Sequence, residues 1–283
     1  MLKEKFVPVA IDQAYQRRQK DTEGDFYRKI AGASPRGDGS GGGTTQGLYV
    51  AAPDGSYLGF SNHRSPERIR RLLLDCLSRY QPAQTQSIRA EKTDARYNPQ
   101  PPKGGLVVRV QAKILDGYQP TDDRWKKIFQ SAISRDNLWI SGEEHRSLAR
   151  GQVPDILQRR IARFHLVDNT RGEPPMWKMA EIRKLEMRIE GKSLRGSVHL
   201  ETSDSSRGYV AELFGKLQVK EGQVTRLDLV ARGDFWGEGR YTRNAPSGKF
   251  PLAISFRLAD GKDVADRIPP QGSRGWVRGY LTE

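Results

Sequence analysis

Residues 208–231 read GYVAELFGKLQVKEGQVTRLDLVA, and their apolar and polar side chains alternate. The apolar members of this alternation are Tyr209, Ala211, Leu213, Leu217 and Val219, followed by Leu227, Leu229 and Ala231. A period of two is typical of a strand that buries one face, because successive side chains point to opposite sides of a sheet. Residues 220–222, Lys-Glu-Gly, supply a tight polar turn between the two runs. The stretch therefore predicts an antiparallel hairpin.

The same alternation continues on both sides of this hairpin. Its apolar positions are Leu185, Met187, Ile189, Val198 and Leu200 before the hairpin, and Phe250, Leu252, Ile254, Phe256 and Leu258 after it. Consecutive half-buried strands with short connections form an antiparallel meander. Pro251 has no amide hydrogen to donate, so we expect its strand to lie at a sheet edge or to bulge there.

Apolar residues at helical spacing precede the meander. They predict a helix over residues 122–134 and another over 154–164, after a strand at 106–115. Helices in this position cover one face of a sheet or plug the mouth of a barrel. We therefore predict that residues 105–283 form an α+β domain with an antiparallel sheet, open or barrel-like, and two or three helices.

The first 80 residues carry a different set of signals. Residues 6–11 predict a strand and residues 13–31 a helix, and the runs 48–52 and 57–60 flank a Pro-Asp-Gly turn. In SPERIRRLLLDCLSRY, residues 65–80, Ser65 is suited to cap a helix and Pro66 to its first position. One apolar face of this helix consists of Ile69, Leu72, Leu73, Cys76 and Tyr80. Residues 81–104 are rich in proline and glutamine and predict a linker.

The resulting order β-α-β-β-α, with the stretch PDGSYLGFSNHRSPERIRRLL, resembles the C-terminal portion of the thioredoxin-like superfamily over residues 5–80. The resemblance implies a small, degenerate α/β unit over residues 1–80 and carries over no active-site residue. Cys76 is the only cysteine, so the superfamily's CxxC is absent, and residues 44–47 read TTQG where the superfamily has its cis-proline. The superfamily's first strand and active-site helix would have to precede residue 6. This implies either a minimal variant or a true start upstream of residue 1.

The cysteine count also bounds the redox chemistry. A single thiol forms neither an intrachain disulfide nor a Cys-rich zinc site. Cys76 falls on the apolar face of the predicted helix 65–80, where a thiol behaves as a small hydrophobic side chain. We therefore expect a buried, slowly reacting thiol and no thiol-disulfide oxidoreductase activity.

The chain carries 48 Lys and Arg against 34 Asp and Glu, a formal net charge of +14. Such a charge favours anionic partners: nucleic acid, acidic lipid headgroups or acidic polymers. Two basic helical faces are predicted, from Arg159, Arg160 and Arg163 and from Arg68, Arg70 and Arg71. A solvated surface is the alternative interpretation, because no RNP-type aromatic pair, zinc module or helix-turn-helix spacing accompanies these charges.

Few patterns in the sequence indicate a site. The four histidines lack the spacing of a metal motif, and Glu143-Glu144-His145, the nearest acid–base cluster, is interpreted as an exposed helical turn. GDFWGEGRYT, residues 233–242, is the most unusual stretch. Its aromatic, acidic and cationic side chains can line a ligand pocket. The candidate ligand-binding residues are Trp236, Glu238, Arg240 and Tyr241. The residues alone favour the alternative, a strand end whose tryptophan fills the core and whose arginine pairs with an acid.

The absence of a catalytic constellation favours a non-catalytic binding protein, with a partner protein or an anionic or apolar ligand in the sheet's concavity. The alternatives are an enzyme with its site near residues 234–241 and a weakly specific nucleic-acid-binding protein. No cofactor, metal or integral membrane segment is expected. The first residues lack the features of a secretory signal, so the chain as written is expected in the cytoplasm. A start upstream of residue 1 would leave export as the alternative.

Overall fold

The computed structural model describes residues 2–35, 37, 46–63, 65–82, 93–273 and 275–282 of the chain. The chain divides into two compact units, Met1–Pro99 and Gln100–Glu283, here named unit 1 and unit 2. Residues 83–92 of the predicted linker lie outside the described residues, as do residues 44 and 45 of the TTQG stretch.

Unit 1 contains short helices and one β-hairpin. Its elements are α1 (Leu2–Lys5), α2 (Gln13–Gln16), α3 (Thr22–Gly32), β1 (Leu48–Ala51), β2 (Tyr57–Ser61) and α4 (Pro66–Arg79). The predicted hairpin is confirmed, since β1 and β2 pair antiparallel. Gly55, in the turn between them, has a φ of +82°, a conformation that glycine adopts without steric cost.

Helix α4 begins and packs as predicted. The Ser65 side chain accepts a hydrogen bond from the Arg68 amide at the start of the helix. Val50, Leu73 and Cys76 are buried together in a small core formed by α4 and the hairpin. A side chain at Gly59 would approach the Cys76 Sγ to 2.7 Å, so the glycine lets β2 lie close against the helix.

We expect Cys76 to react with a thiol reagent at least about 100-fold more slowly in the native chain than in the unfolded chain. The residue is 1% exposed, and burial raises the pKa of its thiol even though Arg79 Nη2 lies 3.9 Å from Sγ. Burial keeps the reagent away from the sulfur, and the raised pKa lowers the fraction of the thiol that is present as the reactive thiolate. Labelling rates with and without urea measure the difference. Equal rates would show that α4 does not stay packed on the hairpin.

The predicted strand at residues 6–11 is wrong. These residues have no regular secondary structure, and Val7 and Val9 are 87% and 73% exposed. An apolar run becomes a strand only beside a partner, and Pro8 removes a backbone donor from the middle of this run. The predicted helix 13–31 is interrupted between α2 and α3, where the Asp21 side chain caps α3 by accepting a hydrogen bond from the Gly24 amide.

Unit 2 has the α+β composition predicted from the alternating pattern. Its strands are β3 (Leu106–Ile114), β4 (Asp136–Ile140), β5 (Ile182–Glu190), β6 (Ser193–Glu201), β7 (Gly208–Lys220), β8 (Gln223–Trp236) and β9 (Lys249–Leu258). Its α-helices are α5 (Arg124–Ser131), α6 (Gly142–Ala149), α7 (Asp155–Arg160) and α8 (Val277–Thr282). A π-helix (Ile161–His165) continues α7, and single 3-10 turns cover Met179–Glu181, Val264–Arg267 and Gln271–Ser273.

The seven strands of unit 2 form one antiparallel sheet in the order β4-β3-β9-β8-β7-β6-β5. The predicted meander is confirmed, since each of β5, β6, β7 and β8 pairs with the next strand in the sequence. The sheet curls into a half-barrel. Helices α6 and α7 contribute Leu148 and Leu157 to the apolar core on its concave side, where Leu229 and Phe256 project from β8 and β9.

The expectation that Pro251 marks an edge strand or a bulge is wrong, since neither ladder of β9 shows a register shift. Its strand β9 lies between β3 and β8 and has ladder partners on both sides. The Pro251 carbonyl accepts a hydrogen bond from the Leu115 amide, one residue beyond the end of β3. In an antiparallel ladder the nitrogen and carbonyl of one residue face the same neighbouring strand. The missing donor of Pro251 therefore faces the end of β3, so the proline removes only the return bond to Leu115, at the point where the β3–β9 pairing ends.

The basic face predicted for helix 154–164 does not form. Of its three arginines, Arg159 is exposed, Arg163 is partly buried and Arg160 is fully buried. The Arg163 guanidinium lies over the Phe164 ring, with its central carbon 4.8 Å from the ring centroid. Arg160 lies on the same helical stripe as the apolar residues that pack against the sheet. The prediction that it faces solvent rested on its charge alone and is wrong.

Arg160 instead ties the last helix to the interior. Its Nη1 donates to Glu144 Oε2 at 2.8 Å, while Nε and Nη2 donate to the Tyr280 and Leu281 carbonyls at 2.6 Å each. The last carbonyls of a helix have no partner within it, and the guanidinium supplies one for α8. Glu144 also forms a capping box with Ser141 at the start of α6. One buried cation thus joins three helices.

Candidate binding loop

Residues 237–248, GEGRYTRNAPSG, connect β8 to β9 and are here named the binding loop. Gly237 and Gly248 stand at its two ends with φ values of +86° and +71°. Both values lie in the left-handed region that favours glycine. A side chain at Gly237 would also come within 2.3 Å of the Ser206 carbonyl oxygen. The glycines therefore let the chain leave and re-enter the sheet at sharp angles.

The loop is held in shape by its own hydrogen bonds. The Ala245 amide donates to Glu238 Oε1 at 2.6 Å, which closes the loop across its width. The Gly239 amide donates to Thr242 Oγ1 at 2.7 Å, and the Thr242 amide returns a bond to the Gly239 carbonyl at 3.1 Å. Thr242 is 3% exposed, so the middle of the loop is turned into the protein.

Arg171 fixes the loop from beneath. Its side chain is 1% exposed and donates to the Thr242 carbonyl and to Asp168 Oδ2, and its Nη1 lies 3.7 Å from Glu238 Oε1. Asp168, equally buried, also accepts a bond from Thr170 Oγ1 at 2.7 Å. A buried arginine that bridges two carboxylates and a carbonyl is a strong positional restraint, because each of its bonds is charge-assisted.

Tyr118 is a half-buried residue whose hydroxyl is itself buried. Burial raises the pKa of its phenol to about 12, against the opposing effect of the Arg171 charge. Within the described part of the chain, neither the Tyr118 hydroxyl nor Arg171 Nε has a hydrogen-bond partner. The charged side of Arg171 is therefore directed at the loop and at Asp168.

Two aromatic side chains on the outside of this framework each carry a cation. The Arg240 guanidinium carbon lies 5.4 Å from the Tyr241 ring centroid, and Tyr241 is 62% exposed. Lys249 Nζ lies 4.7 Å from the Trp236 ring centroid. Arg243 is exposed as well. Among the described residues, no carboxylate lies within 4.0 Å of these three cations.

The structure separates the four residues singled out in the sequence. Trp236 lies flat against Gly208 and donates from Nε1 to the Ser205 carbonyl at 2.9 Å, so it covers the sheet end while Phe235 fills the core. Arg240 and Tyr241 lie against each other in solvent, whereas the Glu238 carboxylate, 42% exposed, accepts a bond from the Ala245 amide. Sequence reasoning missed the buried anchors Asp168, Arg171 and Thr242, which follow no periodic pattern.

The concave side of the sheet offers little room for a ligand at the place where α6 and α7 meet it. The cavity there measures about 20 Å³ and has apolar walls that include Val153, Leu194 and Leu227. That volume holds about one water molecule. This part of the concavity is filled by the protein's own side chains, which directs attention to the outer surface.

The acid–base cluster Glu143-Glu144-His145 is not an exposed turn. It starts α6, with Glu144 4% and His145 6% exposed. His145 Nδ1 lies 3.0 Å from the Gly104 carbonyl, and its Nε2 accepts a hydrogen bond from the Val224 amide at 3.1 Å. These two bonds require a neutral ring with the proton on Nδ1. The cluster joins α6 to the sheet and is structural.

Comparisons with known proteins give no relative. No protein-family model matches the chain, and no curated protein or solved structure shows significant similarity to it. Within the described ranges, no three His, Cys, Asp or Glu side chains are grouped so that they could hold a metal ion. None of the helices described has the length and apolar character needed to cross a bilayer. The geometry of the binding loop therefore carries the functional argument.

Proposed function

We propose that this chain is a non-catalytic binding protein that holds an anionic partner at the binding loop. One observation carries the proposal: a rigid loop presents an exposed tyrosine beside cations that have no acidic partner in the described structure. The only carboxylate of the loop, Glu238, is 42% exposed, but it accepts a bond from the Ala245 amide and lies 3.7 Å from Arg171 Nη1. The exposed charges at the loop, Arg240, Arg243 and Lys249 against Glu238, therefore sum to a positive charge, on a chain whose formal net charge is already +14.

Single-stranded nucleic acid is the partner class that this arrangement fits best. Its phosphates pair with arginine and lysine, and its exposed bases stack on aromatic rings and on guanidinium planes. The loop offers both surfaces side by side, with Tyr241 and Arg240 as a stacking pair and Arg243 and Lys249 as charges. An acidic polypeptide shares the charge but has fewer planar groups to stack.

The buried anchors of the loop also lower the free-energy cost of binding. Binding usually costs free energy because interface side chains and loops lose conformational freedom. Here the internal bonds of the loop and the contact of Thr242 with Arg171 already restrict the backbone. The restricted backbone lowers that cost and leaves mainly the exposed side chains to order.

The test is fluorescence anisotropy of the full chain with a labelled, mixed-sequence DNA strand of about 12 nucleotides, a length within the range one such surface covers. We expect binding at low salt that weakens steeply as salt rises, because phosphate contacts release counterions. Tyr241→Ala is expected to weaken binding about 5- to 100-fold, the range measured for loss of one stacked base. Arg243→Ala should make the slope of log binding constant against log salt concentration shallower by about one unit or less, since one phosphate contact is lost.

Lys262→Ala is the matched control, because Lys262 is an exposed cation on another loop. The affinity of this variant for the DNA strand should stay within about twofold of that of the unchanged protein. Absence of binding at low salt contradicts the proposal, and so does an equal loss in Tyr241→Ala and Lys262→Ala. Stronger binding to poly-glutamate than to the oligonucleotide would assign the loop to an acidic protein instead.

Catalysis near residues 234–241 has less support, because the Glu238 carboxylate is occupied by its internal partners. For unit 1 we retain the proposal of a degenerate relative of the thioredoxin-like superfamily that lacks the CxxC motif. The hairpin β1–β2 followed by the capped helix α4 supports it, while the missing strand at residues 6–11 weakens it. This relationship assigns no catalytic residue to unit 1.

A further inference from the structure

The two longest strands of unit 2 expose a set of alternate side chains on the convex side of the half-barrel. These outward residues, here named the central face, are Val210, Glu212, Phe214, Lys216 and Gln218 on β7, and Arg226, Asp228, Val230, Arg232 and Asp234 on β8. Val210 and Phe214 are 43% and 42% exposed, which is high for apolar side chains on a sheet. The central face is separate from the binding loop and has no role in the function proposed above.

The register of the two strands arranges the central face in five rows. From one end to the other, the rows are Val210–Asp234, Glu212–Arg232, Phe214–Val230, Lys216–Asp228 and Gln218–Arg226. The middle row is apolar, and two rows lie on each side of it. Along β8 the charges on one side of the middle row are the reverse of those on the other side. Along β7 the innermost charges, Glu212 and Lys216, are also opposite.

This pattern is self-complementary under a twofold rotation. If the axis runs across the strands along the Phe214–Val230 row, each strand faces its own copy in the opposite direction. Glu212 then lies opposite Lys216 of a second copy, and Arg232 lies opposite Asp228 of that copy. Asp234 likewise meets Arg226, while Phe214 and Val230 meet their own equivalents. A face that pairs with itself in this way is the requirement for an isologous dimer.

Pairing within the sheet does not account for these charges. Among the described residues, no ion pair within 4.0 Å joins Glu212 to Arg232 or Lys216 to Asp228, although each pair is in register. The only ion pair inside the central face is the one between Arg226 and Asp228. Glu212, Lys216 and Arg232 therefore remain available to a second molecule.

We propose that the central face associates with the central face of a second copy of this chain. The face carries three cations and three anions, so it is electrically balanced on a protein of net charge +14. An acidic partner would meet three carboxylates there, and a basic partner three cations. A second copy meets the opposite charge at each of these six charged positions, and it brings its own apolar row to cover Phe214 and Val230.

The size of the contact predicts a weak dimer. Two strands about 5 Å apart and nine residues long offer a flat area of about 250–300 Å². On the flank, Arg195 of β6 lies beside Phe214 and faces its own copy under this rotation, so the attraction comes from the charges of β7 and β8. Curvature also limits how far two convex faces can touch. A stable interface usually buries about 800 Å² on each partner. Association is therefore concentration-dependent and sensitive to single charges.

Sedimentation velocity of the full chain over about 10 µM to 1 mM tests the proposal, with the expected dimer dissociating as salt is raised to about 0.5 M. Glu212→Lys or Lys216→Glu alone should lower the association constant at least about 10-fold, because each change replaces two symmetric attractions by repulsions. The double variant Glu212→Lys/Lys216→Glu should restore association to within about threefold, since it only exchanges the two charges.

Lys192→Glu, in the turn between β5 and β6, is the control for net charge and should leave association nearly unchanged. Melting temperatures of all variants check that the sheet remains folded, and Glu212→Gln provides a milder change if a reversal unfolds it. A monomer at every concentration overturns the proposal. A dimer that is unaffected by the single reversals, or that the double variant does not restore, overturns it too.

Discussion

Arg160→Ala is expected to lower the free energy of unfolding of unit 2 by about 3–5 kcal/mol, the usual cost of removing one partner from a buried ion pair. Arg160 is fully buried and satisfies Glu144 together with the Tyr280 and Leu281 carbonyls. Alanine leaves a buried carboxylate and the end of α8 without these bonds. Urea denaturation followed by tryptophan fluorescence measures the change, since unit 2 contains buried Trp139 and Trp177.

Arg159→Ala is the matched control for this prediction. The neighbouring arginine has the same charge and sits on the same helix, but it is exposed and donates only to the Asp155 carbonyl. Its replacement should change the free energy of unfolding by less than about 0.5 kcal/mol. Equal effects of the two substitutions would show that Arg160 is not the buried tie between α7 and α8.

The contrast between these two arginines shows what the sequence reveals about α7. Apolar spacing located the helix, and charge suggested that all its arginines face solvent. Only the fold brings Glu144 and the end of α8 to the position of Arg160, and these partners lie 16 and about 120 residues away in the chain. Such a partnership has no local pattern, so no reading of residues 154–164 by themselves would have found it.

The sheet was more accessible to prediction than the helices around it. Strands β5 to β9 bury one face each, so alternation revealed all five. Strand β4 was missed because Leu138, Trp139 and Ile140 are all buried, which removes the alternation. Residues 6–11 were assigned wrongly for the converse reason. They have the composition of a buried strand, but no strand lies beside them to provide the pairing.

For the binding loop, too, the sequence revealed local features and not the contacts with distant residues. Its exposed part, Arg240 and Tyr241, was identified from an unusual cluster of aromatic and charged residues with glycines. Its anchors were not, because Asp168 and Arg171 precede the loop by about 70 residues and resemble ordinary polar residues of a connecting segment. The role predicted for Glu238 also changed, since a carboxylate expected at a ligand is used to close the loop.

Arg171→Leu is expected to destabilise unit 2 by about 3–5 kcal/mol and to weaken oligonucleotide binding by the same loop. The substitution leaves Asp168 buried with its bond to Thr170 only, and it removes the donor to the Thr242 carbonyl. A loop without this anchor loses more conformational freedom when it binds. Urea denaturation and anisotropy, measured at a temperature where the variant is folded, report the two effects separately.

The comparison with Arg243→Leu makes this prediction specific, because Arg243 is exposed on the same loop and has no such anchoring role. Arg243→Leu should weaken binding while it changes the free energy of unfolding by less than about 0.5 kcal/mol. Asp168→Asn added to Arg171→Leu should recover part of the stability, since the unpaired buried charge is then gone, but it should not recover binding. Full affinity in Arg171→Leu would mean that the exposed side chains bind without a fixed loop, so that prearrangement of the loop does not contribute to binding.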